Sequence, residues 1–211
     1  MTVGSLVLLA ALLVTGAAFL AQRLSPRFLR VQAPVAPPRG SAAAGVLYAF
    51  TLAFTPGAKE SASLHLPSYL AGIAYHLGIF AALVRLLTTL VPVTLPWAAD
   101  VAAAVLFALG LVCGLALLAK RILDSNLRAI SVPDDFLANL LVDATLATGI
   151  VASLDHALVW LFQVTGTALL LYAPLGKLRH MLFLLASRLW SGATFGRRGV
   201  RPAPPPGVPR G

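Results

Sequence analysis

Apolar residues run along this chain in long blocks rather than in alternation. Blocks near the ~20 residues that a helix needs to cross a ~30 Å hydrocarbon core cover Val3–Ala21, Leu66–Val91, Trp97–Ala119 and Phe136–Leu154, and a fifth opens at Asp155 or His156 and ends at Leu171. Charged residues gather between the blocks. The pattern predicts an all-α integral membrane bundle of five transmembrane helices. Proline agrees with these limits: Pro67 suits a first helical turn, Pro92 closes the second span, Pro133-Asp134-Asp135 starts the fourth, and Pro174 kinks the fifth ahead of a basic amphipathic extension. Asp155 and His156 alone separate the last two spans and predict a tight helical hairpin. The block Ala42–Phe54 has 13 residues. At 1.5 Å per residue it reaches only about 20 Å, which reads as an interfacial or re-entrant segment.

The first block has no basic segment ahead of it and is followed by Arg23, Arg27 and Arg30. It reads as an uncleaved anchor, with a cleaved signal peptide processed near Ala17, Ala18 or Ala21 as the alternative. The organisation expected from these limits is a first span over 1–22, a loop with an interfacial apolar segment over 23–63, a four-helix membrane domain over 64–186 and a basic proline-rich tail over 187–211.

Composition supports the membrane reading: 59% of the 211 residues are hydrophobic and 11% are charged, against roughly 25% charged in soluble domains. The net charge of +9 would suit nucleic acid on a soluble protein, but here the cations mark topology, and no nucleic-acid partner is expected. With five spans, fifteen of the sixteen cations fall on one side, Arg85 being the exception. The positive-inside rule makes that side cytoplasmic and predicts a multi-pass protein of the cell inner membrane, N-terminus outside and C-terminus inside. Cys113 is the single cysteine, which excludes an internal disulfide, a CxxC zinc site and a four-cysteine cluster.

Candidate chemistry rests on four histidines, His65, His76, His156 and His180, all on the second and fifth spans. Ionisable groups at membrane depth are expensive and mark function. Paired imidazoles from facing helices can close both axial positions of a haem. His65 and His180 lie level at the cytoplasmic edge of antiparallel spans. His76 sits about 16 Å deeper than His65, whereas His156 sits about 36 Å along the helix from His180, so that second pair is mismatched by roughly 20 Å. His76 lies within "AGIAYHLGIF", where Gly72 and Gly78 allow a flat macrocycle to approach. The bland alternatives are a polar turn residue for His156 and an interfacial cation for His180. Arg85 is expected either to snorkel outward or to meet a haem propionate or quinone oxygen. Asp143 is expected to bond a neighbouring helix or relay protons, and Gly110 and Gly114 form a GxxxG that reads as close packing.

The segments "LHLPSYLAGIAYHLGIF" (64–80), "RILDSNLRAISVPDDF" (121–136) and "LLLYAPLGKLRHM" (169–181) resemble the gamma subunit of respiratory nitrate reductase and its relatives in heterodisulfide reductase and sulfite-reduction complexes, which are five-span cytochromes b. The resemblance implies haem-ligating histidines at His65 and His76 on the second helix and at His180 in the fifth, where Pro174, Lys177 and Leu178 match the surrounding motif. The upstream ligand of the fifth helix falls on Phe162, with His156 six residues further out, so the chain departs from the pattern there and the expectation is one or two haems b. The resemblance further implies a quinol site and a docking surface for a cytoplasmic iron–sulfur subunit. The expected function is therefore electron transfer between the quinone pool and a redox partner, with membrane lipid around it. A haem-free anchor that docks a redox subunit is the alternative. Any catalysis belongs to the complex, since the chain offers no nucleophile–base pair or phosphate loop.

Overall fold

The computed structural model of the chain describes residues 2–24, 37–58 and 60–200; the tail from 201 and the cations Arg27, Arg30, Lys59, Arg201 and Arg210 lie outside them. The described residues form nine α-helices with no strand among them: α1 (Val3–Leu24), α2 (Ala42–Phe50), α3 (Glu60–Leu64), α4 (Leu66–Thr88), α5 (Trp97–Leu123), α6 (Ser125–Ala129), α7 (Pro133–Leu154), α8 (Val159–Tyr172) and α9 (His180–Arg197). Four of them, α1, α4, α5 and α7, are long and apolar enough to cross a membrane, and a fifth span results if the broken pair His156–Tyr172 and Lys177–Arg197 counts as one. The fold is thus the all-α membrane bundle that the apolar blocks predict.

Local chemistry sets the ends of these helices. Pro133 is the first residue of α7, three residues before the expected start, because Asp135 turns back to accept the Val132 N–H at 3.0 Å. The α7–α8 hairpin is as tight as Asp155-His156 demands: the Asp155 carboxylate accepts the Ala157 N–H at 2.9 Å and a single 3-10 turn, His156–Leu158, leads into α8. Pro174 falls in the four residues between α8 and the 3-10 turn Lys177–Arg179. The tail expected from residue 187 begins inside α9.

The chain divides into two compact units, Met1–Leu20 with Pro67–Arg179, and Ala21–Leu66 with His180–Gly211. The first is built on Leu8, Leu86, Phe107, Leu146, Phe162 and Leu169, all nearly or fully buried. Glycine lets its helices meet backbone to backbone. A Cβ on Gly78 of α4 would lie 2.9 Å from the Gly110 Cα of α5, and one on Gly149 of α7 would lie 3.0 Å from both Phe107 and Phe162. The Gly110–Gly114 pair therefore serves packing within the bundle. Leu13, Val84, Val105, Val112 and Val164 point outward with more than half their surface exposed, as lipid-facing side chains do.

In the second unit α2 packs along α9 through small residues that were not singled out in the sequence. A Cβ on Gly45 would collide with the Gly192 carbonyl oxygen and lie 2.5 Å from the Gly196 Cα. The pair is fastened at both ends. Arg39 and Gly40 N–H donate to the Arg197 carbonyl at 2.7 and 3.0 Å, and Arg188 donates to the Ala49 carbonyl at 2.9 Å while its guanidinium lies 4.3 Å from the Phe54 ring centroid. Gly45→Val is expected to destabilise this unit by about 1–3 kcal/mol through overpacking. The check is limited proteolysis, which should cut the 51–58 segment faster in the variant than in the wild type.

Candidate functional site

His76 lies ten residues into α4, on the exposed side of the helix. Its Nδ1 donates to the Gly72 carbonyl one turn earlier at 2.6 Å, which fixes the ring and leaves the Nε2 lone pair directed away from its own backbone. The Tyr75 and Phe80 rings flank it at 6.5 and 6.1 Å between centroids. A Cβ on Gly72 would meet nothing within 4 Å, so the surface beside the imidazole is open, whereas Gly78 is turned inward against Gly110. Of the two glycines expected to admit a macrocycle, only Gly72 is available for it. His65 occupies the turn between α3 and α4, and His180 begins α9; both are exposed and both belong to the second unit.

His156 is held elsewhere. Its Nε2 lies 3.0 Å from Oδ2 of Asp100, whose Oδ1 accepts from Arg85 Nη2 at 2.9 Å. Asp100 is 5% exposed and ties the ends of α4 and α5 to the α7–α8 hairpin. Arg85 also donates to Thr88 Oγ1 at 2.8 Å. Its guanidinium is thus paired with an aspartate three residues into α5. Depth could have found this pair, since Arg85 is three residues from the end of α4 and Asp100 three from the start of the antiparallel α5.

At the opposite end of the first unit the charges close a second cluster. Asp135 meets Lys177 Nζ at 2.6 Å and Arg121 Nη1 at 3.7 Å, Arg121 donates to Ser131 at 2.9 Å, and Lys120 donates to Ser68 at 2.7 Å. The Tyr172 hydroxyl donates to the Asp134 carboxylate.

Between these ends lies a polar centre that only Asp143 announced. Asn139 Nδ2 donates to Tyr75 Oη and to Asp143 Oδ2, both at 2.9 Å, and the Tyr75 hydroxyl donates to the Asn139 carbonyl at 3.2 Å. Asp143 is 5% exposed and its Oδ1 has no hydrogen-bond partner among the described residues. Gly114 makes the room: a Cβ there would collide with Asp143 Oδ1 and lie 2.5 Å from the Tyr75 ring. A third polar contact joins α1 to α8, where buried Gln163 reaches Ser5 and Thr89, each at 3.3 Å.

Compared with family models, with curated proteins and with solved structures, the chain matches none. What the site can do is therefore argued from its own residues. Asp100→Ala, which strands the Arg85 guanidinium in a mostly buried position, is expected to cost about 3–5 kcal/mol, whereas His156→Ala removes an exposed ring and leaves the Arg85–Asp100 pair in place. Thermal denaturation of the two variants in detergent should separate them clearly, with Asp100→Ala far below His156→Ala.

Proposed function

We propose that this chain is a b-type cytochrome subunit of a membrane oxidoreductase complex, passing electrons between quinone and an iron–sulfur partner at the cytoplasmic face. The observation that carries the reading is His76. An imidazole on the lipid-facing side of a spanning helix is costly unless something covers it. Its Nδ1–H is already committed to the Gly72 carbonyl, so the bare Nε2 and the open surface over Gly72 fit one axial side of a haem. Bound there, the haem would supply one-electron chemistry. The protein's part is to orient the ring, to line it with Tyr75 and Phe80, and to exclude water.

His65, in the turn before α4, and His180, the first residue of α9, are the pair proposed for the haem nearest the cationic end. His156 does not fit as it stands, because Asp100 occupies its Nε2; it joins His76 on a second haem only by leaving that carboxylate. The same hold on His156 favours the haem-free anchor as a second reading, in which a redox partner covers His76. In either reading the cation pattern favours an inner-membrane protein with its Lys177 end toward the cytoplasm.

The purified chain, loaded with haem, is expected to give a low-spin b-type reduced-minus-oxidised spectrum. His76→Ala, His65→Ala and His180→Ala should each lower haem per polypeptide, measured as pyridine haemochromogen, while His156→Ala leaves it unchanged. A chain that stays colourless when expressed with excess haem would favour the anchor. Topology is tested independently: reporter fusions after Arg128 and Arg198 should read cytoplasm and one at Pro96 the outside.

A further inference from the structure

Asp143 is an acidic group in the middle of a membrane span with no cation against it among the described residues. It lies ten residues into the 22-residue α7, about 15 Å along the axis. The groups that face it are Tyr75 from α4, Gly114 from α5 and Asn139 from its own helix, followed one turn down by Asp135. The ion pairs of the described residues end at Asp100 and Asp135 and leave Asp143 out. A buried carboxylate without a counter-charge costs far more than the neutral acid. One amide donor reaches Oδ2 and the neutral Tyr75 phenol stands beside the carboxyl, while the buried Oδ1 has no geometric hydrogen-bond partner among the described residues.

The path to the site is one-sided. Asp135, Asn139 and Asp143 recur every fourth residue and so share one face of α7, each about 6 Å above the last. The lower end of that stripe meets Lys177 and Arg121, whose side chains are 51% and 37% exposed. Above Asp143 the same face turns apolar with Leu146, Ala147 and Ile150, and Leu146 is wholly buried.

We propose that Asp143 is a proton-binding carboxyl inside the membrane, filled from the Lys177 end of the bundle and closed toward the His156 end. The step is simple protonation. A hydronium proton from the solvent at the Asp135 end passes Asn139 and Tyr75, leaving water behind, and becomes the O–H of the neutral acid; its return to water restores the carboxylate. This site is independent of the electron-transfer reading and operates whether or not the chain carries haem.

The test uses the full chain in sealed proteoliposomes, sorted by protease access to the exposed Arg128–Ala129 bond of the same unit, and treated with dicyclohexylcarbodiimide, which modifies protonated carboxyls in apolar surroundings. Peptide mass spectrometry should place the N-acylurea on Asp143, and Asp143→Asn should abolish it. Raising the pH on the Lys177 face should slow labelling by up to tenfold per unit, while the same change on the opposite face should leave it unaltered. Asn139→Leu should keep the adduct but slow its response to the Lys177-face pH at least tenfold. The proposal is overturned if wild-type Asp143 is unlabelled at every pH, if labelling follows the opposite face, or if Asn139→Leu responds as fast as wild type. The two wild-type measurements decide the matter even where that variant fails to fold.

Discussion

Within a bilayer no water is available to satisfy a polar side chain, so each one placed on a span must find its partner inside the protein, and in this molecule that demand fixes which helices touch. Asp100 needs a cation and takes Arg85, which binds the end of α4 to the start of α5. Gln163 needs hydroxyls and takes Ser5 and Thr89, which ties α1 to α4 and α8. Asn139 needs acceptors and takes Tyr75 and Asp143. Apolar packing alone would allow many rotations of these helices, since lipid tails are as apolar as leucine. The polar contacts remove that freedom at three places.

Glycine is the second half of the same arrangement. A polar contact across two helices requires the axes to approach, and the close approaches occur where Cβ atoms are missing: Gly78 against Gly110, Gly114 beneath Asp143, and Gly166 against Leu86. The first of these is pure packing, while the second creates a recess that only a carboxylate and a phenol fill. The α2–α9 pair uses Gly45, Gly192 and Gly196 in the same way, with arginine supplying the fastenings.

The span limits were legible because length against bilayer thickness is a strict ruler, and the hairpin at Asp155-His156 and the break around Pro174 followed from local chemistry. The short block Ala42–Phe54 was recognised as too short to cross, but its partner was not: the glycines of α9 sit among arginine and serine, which reads as a soluble extension rather than a packing face. At the sites, Asp143 was visible as a charge out of place. Tyr75 and Asn139 were not, since a tyrosine and an asparagine within apolar helices carry no warning until the helices are docked. Asp100 was passed over because it stands in a first helical turn, where an acidic residue is ordinary.

The fifth candidate span is a broken one, which has the length to cross only if His156–Tyr172 and Lys177–Arg197 count together. From His156 to Tyr172 the 3-10 turn and α8 hold 17 residues, about 25 Å of helix against a hydrocarbon core of about 30 Å. Neighbouring α5 has 27 residues and has length to spare. Were the first arm to cross alone, the bilayer would have to thin beside α8 and stay full beside α5, at a cost of fractions of a kcal/mol per Å; the second arm, Lys177–Arg197, spares the molecule that mismatch.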